Sequence, residues 1–130
     1  MEQLKKWLWN KPQTTTDTGK ITENFAARHL VLQNLSLVDQ NFRSKFGEID
    51  LIMLDKDTYV FVEVKYRKNN KYGGSLMAVS HSKQQKIRLC AKFYLQKHQL
   101  NEYNTPCRFD IVALEGDIET PQINWLKNAF

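Results

Sequence analysis

The chain has 130 residues, of which 42% are hydrophobic and 25% are charged, and its formal net charge at pH 7 is +5. This length suits one domain with one core, and no apolar run approaches the roughly 18 residues of a transmembrane helix, so we expect no membrane span. A modest basic excess is compatible with a polyanion such as nucleic acid, although many small basic proteins bind none.

The start of the chain and the cysteines predict a cytoplasmic protein. Lys5 and Lys6 interrupt the short apolar stretch at the N-terminus, which is therefore not a secretory signal. Cys90 and Cys107 lack the spacing of a metal or redox motif, so we expect free thiols in a reducing compartment, with Cys90 buried on a helix.

The first predicted elements are a tail and a helix. Residues 1–18 are interpreted as a flexible tail and residues 19–130 as the domain. A helix is predicted from about Gly19 to Asn34, and its apolar stripe consists of Ala26, Ala27, Leu30 and Val31. Glu23 falls on the same side as this stripe, and a carboxylate there requires a reason, since burying an unpaired charge is costly.

Three strands follow, at residues 37–43, 48–54 and 59–65. The turn residues Asp55, Lys56 and Asp57 lie between the last two, which predicts that those strands pair as a hairpin.

After a polar loop at residues 66–80, the Ser-x-x-Gln pattern of Ser82 and Gln85 predicts a capping box that opens a helix to about Leu100. Its expected apolar stripe is Ile87, Cys90, Ala91, Tyr94 and Leu95. Strands are predicted at residues 108–114 and, more briefly, 122–126. The order predicts an α/β fold in which helices flank a mixed sheet.

The chemically informative feature is Gly47-Glu48-Ile49-Asp50, followed across the predicted hairpin by Glu63-Val64-Lys65. Side chains alternate along a strand, so Glu63 and Lys65 share one face and the neighbouring valines occupy the other. Hairpin pairing brings Asp50 beside Glu63.

Two neighbouring acids repel each other unless a cation lies between them. Mg²⁺ prefers oxygen ligands, polarises phosphate oxygens and lowers the pKa of bound water, which suits phosphodiester hydrolysis. Lys65 would hold the attacking water or stabilise transition-state charge, and Glu23 would orient a metal-bound water. The alternative for Glu63 and Lys65 is a solvated cross-strand ion pair.

Other charged residues admit two interpretations each. The basic residues near the motif strands would either contact phosphates or form an ordinary solvated surface. These residues are Arg43, Lys45, Arg67, Lys68 and Lys71. Glu48 is either a further ligand or a structural carboxylate. Asp110, in an apolar strand, is expected to make a structural hydrogen bond or ion pair.

These motifs resemble the restriction-endonuclease-like superfamily and, more closely, the YraN family, which is similar to archaeal Holliday-junction resolvases. The resemblance covers about residues 19–130 and is carried mainly by the segments at 47–52 and 60–65. The superfamily's proline before the aspartate is absent, and Ile49 stands in its place.

The resemblance implies a restriction-endonuclease-like αβββαβ core, with Mg²⁺ or Mn²⁺ held by Asp50, Glu63 and the Val64 carbonyl. It implies that Lys65 handles the water and that Glu23 is the helix acid. It also implies that Lys83 and Gln84, at a helix start, contact the substrate backbone. The leading hypothesis is an endonuclease acting on DNA, with branched DNA suggested by the resolvases. A non-catalytic nucleic-acid-binding module, an RNA-directed nuclease and a homodimer remain open.

Overall fold

The computed structural model describes residues 18–69 and 76–130. The predicted tail, other than Thr18, lies outside these residues. The elements, in chain order, are α1 (Thr18–Leu32), β1 (Ser36–Ser44), β2 (Gly47–Asp55), β3 (Thr58–Arg67), α2 (His81–Lys97), β4 (Cys107–Glu115) and β5 (Gln122–Leu126). The predicted α/β order αβββαβ and the additional fifth strand are therefore confirmed.

The five strands form one sheet in the order β1-β2-β3-β4-β5. Strands β1, β2 and β3 pair antiparallel, as does β4 with β5, whereas β3 and β4 run parallel. The parallel pair requires a crossover, and α2 supplies it. The hairpin predicted from the Asp55–Asp57 turn is formed, with Asp55 opposite Thr58.

The sheet separates two apolar clusters, one beneath each helix. The α1-side cluster contains the predicted stripe of α1 together with Val60 and Val62 of β3. The α2-side cluster contains the predicted stripe of α2 together with Phe61. The alternation predicted for β3 is thus confirmed, and it assigns Glu63 and Lys65 to the side of the sheet that α2 covers.

The predicted capping box at Ser82 is wrong. The N-cap of α2 is Ser80, whose backbone is extended and whose hydroxyl accepts a hydrogen bond from the Lys83 N–H at 3.2 Å. A cap must precede the first helical residue, and Ser82 is already inside the helix. Capping at Ser80 puts Lys83 in the first turn of α2.

Within the two described ranges, neither helix is long and apolar enough to cross a membrane. Both cysteines are free thiols, as predicted, and Cys90 is buried on α2.

Candidate metal centre

Asp50 and Glu63 lie where β2 and β3 part. The regular pairing of these strands ends at Leu51 opposite Val62, so Asp50 and Glu63 are the next residues along each strand. Oδ2 of Asp50 accepts a hydrogen bond from the Val64 N–H at 2.8 Å. The Val64 N–H thus bonds to the Asp50 side chain, where regular pairing would give it a backbone carbonyl of β2. This bond holds the Asp50 carboxyl group between the two strands.

The side-chain alternation of β2 breaks at Asp50. Ile49 belongs to the α2-side cluster and Leu51 to the α1-side cluster, although residues two apart in a regular strand share a face. Asn41, on the neighbouring strand β1, has a left-handed backbone with φ of 56°. This irregularity leaves Asp50 accessible to side chains from both layers.

Helix α1 contributes the acid that the sequence predicted. Glu23, Glu48 and Asp50 each have a carboxylate oxygen within 4.8 Å of the other two. The sequence left Glu48 as either a further ligand or a structural carboxylate. In the structure it lies with the other acids, and Arg43 Nε is 3.5 Å from its Oε2. Three elements of the fold therefore bring Glu23, Glu48, Asp50 and Glu63 to one region.

Burial shifts the pKa values of two of these acids, and one buried carboxylate oxygen has no hydrogen-bond partner among the described residues. Burial raises the pKa of Asp50 to about 9, and a hydrogen bond and the charge of Glu63 add to the effect. Burial also raises the pKa of Glu23 and outweighs a hydrogen bond with Asn41 that lowers it, and the charge of Glu48 adds to the increase. Among the described residues, Oε1 of Glu23 is buried without a hydrogen-bond partner. An all-oxygen donor set with an orphaned buried oxygen fits a hard divalent cation.

Lys83 pairs directly with one of the acids. Its Nζ lies 2.7 Å from Oε2 of Glu63, which is buried. Burial lowers the pKa of Lys83, but the hydrogen bond to Glu63 and the charges of Glu63, Asp50 and Glu48 together outweigh that effect and raise it. Both residues line a cavity of about 220 Å³, together with Glu48, Asp50 and Lys86. The sequence assigned Lys83 to substrate contact and did not reveal this ion pair.

Lys65 lies apart from the ion pair. Its Nζ donates a hydrogen bond to the carbonyl of Ala78, in the segment before α2. The predicted role of Lys65 in handling water therefore requires its ammonium to exchange this partner for water or phosphate. Val64, the third implied ligand, is anchored between Glu63 and Lys65 by its bond to Asp50.

The predicted nucleic-acid contacts divide into exposed and engaged groups. Arg43 is 79% exposed and Lys45 is exposed, with its ammonium 5.2 Å from the Phe46 ring centroid. Arg67, in contrast, pairs with Glu115 at 3.0 Å. Lys68 is exposed, and Lys71 lies outside the described residues.

Gln84 has a structural bond of its own. Its amide Nε2 donates to the Val79 carbonyl at 2.9 Å and ties the start of α2 to the preceding segment. Lys86, which sequence reasoning did not select, lines the acidic cavity. The sequence signal for Lys86 is its position three residues after Lys83, because residues three apart in a helix lie next to each other on its surface.

The fold and the site define a class: a small α/β protein whose mixed sheet carries a cluster of carboxylates suited to a cation. A family model described as "Uncharacterised protein family UPF0102" matches residues 22–114, a range that contains all four acids. The chain belongs to this family, which is the YraN family that the sequence resembles.

Individual relatives agree with the family model. The chain is 58% identical over 128 residues to a UPF0102 protein of Colwellia psychrerythraea, covering 95% of this chain and 99% of the relative. It is 51% identical over 112 residues to one of a Shewanella species, covering 86% and 97%. It is also 49% identical over 113 residues to one of Pseudomonas fluorescens, covering 87% and 92%.

Proposed function

We propose that this protein is a divalent-metal-dependent endonuclease that hydrolyses phosphodiester bonds in DNA. The observation that carries the proposal is the convergence of Glu23, Glu48, Asp50 and Glu63 at the point where β2 and β3 part. Mutually repelling, partly buried acids cost stability, and a bound cation would remove that cost.

Asp50, Glu63 and the Val64 carbonyl would hold Mg²⁺ or Mn²⁺. When bound, the cation would polarise a phosphate oxygen and lower the pKa of a water. Asp50 is fixed in advance by its hydrogen bond to the Val64 N–H, so little rearrangement of that carboxylate is needed.

The remaining residues would act on water and on phosphate. Glu23 would accept a hydrogen bond from the attacking water through its orphaned oxygen Oε1. Lys65 would leave the Ala78 carbonyl and stabilise charge on the reacting phosphate. Arg43 and Lys45, which are exposed, would bind flanking phosphates and supply affinity independent of sequence. Lys68 and Lys71 would extend that contact.

The preference for branched DNA rests on the resolvase resemblance alone. The rival function is a binding module that holds nucleic acid without hydrolysis. Such a module has no need of clustered acids, whose charge repels phosphate, so the cluster favours the enzyme.

The test is a cleavage assay with four-way junction, flap, linear duplex and single-stranded DNA, and a single-stranded RNA, each with Mn²⁺ or chelator. The wild type should cleave at least one DNA substrate only with Mn²⁺. Asp50→Asn should not cleave it, whereas Asp57→Asn, a matched change at an exposed turn, should retain activity. Metal-dependent cleavage that survives in Asp50→Asn would remove this site as its source. DNA binding without cleavage would favour the binding module.

A further inference from the structure

We propose that Lys83 is a built-in counter-ion that must leave Glu63 before a divalent cation binds, and that its release couples metal binding to DNA binding. This inference rests on the proposed function and concerns how the same site is regulated. It assigns Lys83 a positioning role, distinct from the simple substrate contact that its sequence position suggests.

Lys83 and a divalent cation compete for one oxygen of Glu63. Nζ of Lys83 lies 2.7 Å from Oε2 of Glu63, inside hydrogen-bonding range. A divalent cation binds carboxylate oxygens at about 2.0–2.6 Å. An ammonium and a divalent cation cannot both occupy the space in front of Oε2, since their charges repel at such short range.

Lys83 can leave Glu63 without unfolding α2. Its side chain is 54% exposed, whereas that of Glu63 is 8% exposed, so the pair joins a buried acid to a lysine at the mouth of the cavity. The lysine stem is long and has several rotamers. The helix start is secured by other groups, namely the Ser80 cap and the bond from Gln84 to Val79.

The departure of Lys83 from Glu63 frees a positive charge at the site. While Lys83 pairs with Glu63, much of its charge is neutralised locally. Once displaced, the ammonium lies at the mouth of the same cavity, where it can bind a DNA phosphate. Metal should therefore increase DNA affinity, and by reciprocity DNA should increase metal affinity.

Lys86 provides a matched control. It lies on the same helix and lines the same cavity, and it carries the same charge, but the ion pair with Glu63 is made by Lys83. Lys83→Met and Lys86→Met thus remove the same charge from neighbouring positions. Lys83→Arg keeps the cation and should preserve the ion pair.

The first measurement is calorimetric titration of each purified protein with Mn²⁺. Lys83→Met should bind Mn²⁺ about five- to tenfold more tightly than the wild type, within the usual range of coupling between sites. Lys86→Met should change the affinity by less than about twofold, as expected for an exposed charge. Lys83→Arg should resemble the wild type.

The second measurement is the anisotropy of a fluorescent four-way DNA junction, titrated with each protein with Mn²⁺ or chelator. All variants carry Lys65→Ala to suppress hydrolysis. Mn²⁺ should raise DNA affinity in the Lys65→Ala parent and much less in the variant that also carries Lys83→Met. Lys86→Met should weaken binding to a similar extent in both conditions.

The outcomes separate the two proposals. Mn²⁺ binding by the wild type with equal affinity in Lys83→Met and Lys86→Met would overturn the counter-ion role and leave the metal site standing. An undiminished effect of Mn²⁺ on DNA affinity in Lys83→Met would overturn the coupling. If neither wild type nor Lys83→Met binds Mn²⁺, the proposed function fails, and the counter-ion role fails with it.

Discussion

Asp110 and Asp50 are both acids within β-strands of this sheet, and their surroundings are opposite. Asp110 is fully buried and accepts hydrogen bonds from Arg108 Nε at 3.1 and 3.2 Å, from Trp125 Nε1 at 2.9 Å and from the Asn128 N–H at 2.9 Å. Asp50 receives one backbone hydrogen bond, from Val64, and has acids on both sides.

This difference separates an acid that the fold satisfies from an acid that it leaves uncompensated. A buried carboxylate that is surrounded by donors is satisfied by the fold and joins the elements that contribute those donors. Around Asp110 these are β4, β5 and the C-terminal segment. A carboxylate surrounded by other carboxylates lacks that compensation, so the fold itself gives no reason for the cluster at Asp50.

The largest effect is expected at Asp110. Asp110→Ala should lower the free energy of unfolding by about 3–5 kcal/mol, because it leaves Trp125 Nε1 and the Asn128 N–H without their acceptor and leaves Arg108 paired with Asp55 alone. Urea denaturation of wild type and variant measures this difference. A decrease in the free energy of unfolding below about 1 kcal/mol would contradict the structural role of Asp110.

The next largest effect is expected on the rate of hydrolysis when Lys65 is replaced. The Lys65 ammonium donates a hydrogen bond to the Ala78 carbonyl. Lys65→Ala should reduce hydrolysis by about 10²–10³-fold, the usual cost of losing one group that stabilises transition-state charge. Its Mn²⁺ affinity by calorimetry should change little, because the lysine is not a ligand. Wild-type cleavage rates in Lys65→Ala would exclude the catalytic role.

A smaller effect, of opposite sign, is expected at Asp50 in metal-free protein. The pKa of an unfolded aspartate is about 3.9, and in the fold that of Asp50 is raised to about 9. The ionised form therefore destabilises the fold, and this penalty is absent below about pH 4 and grows as the pH rises toward 9.

Asp50→Asn should accordingly match the wild type near pH 4 and be more stable by about 1–2 kcal/mol at pH 8. The gain is a fraction of the full penalty, since the Val64 N–H stabilises the ionised Asp50 and Lys83 offsets part of the repulsion. Urea midpoints at several pH values in chelator measure it, with Asp57→Asn as the control. A variant that is less stable than wild type at pH 8 would contradict this account of the cluster.

The smallest effect on stability is expected at Arg43, which is highly exposed beside Glu48. Arg43→Ala should change the free energy of unfolding by less than about 0.5 kcal/mol. It should nevertheless weaken DNA binding and reduce the slope of log affinity against log salt by about 1. Lys56→Ala, at an exposed turn, should leave that slope unchanged.

The fold was predictable because its signals are local. The β-branched and aromatic residues of β3, the turn at Asp55–Asp57 and the apolar stripes of both helices each specify an element without reference to distant contacts. The start of α2 was predicted wrongly because Ser80 and Ser82 are both residues that suit a cap, and the structure places the cap at Ser80.

The candidate site was predictable only in part. The neighbouring positions of Asp50 and Glu63 follow from the hairpin, and the inward side of Glu23 follows from helical periodicity. The break in alternation at Asp50 depends on the backbone of a neighbouring strand. The Lys83–Glu63 ion pair joins a helix to a strand across the tertiary structure. Neither has a local sequence signal.

The most direct test of the central claim is the thermal stability of wild type and Asp50→Asn in chelator and in excess Mn²⁺. The cluster predicts that wild type gains about 2.7 kcal/mol at one hundred times the dissociation constant of the metal, and that Asp50→Asn gains far less. The variant should be the more stable protein in chelator at pH 8, and its advantage should shrink or reverse with Mn²⁺. Equal responses of the two proteins to Mn²⁺ would contradict the claim that these acids form a metal site.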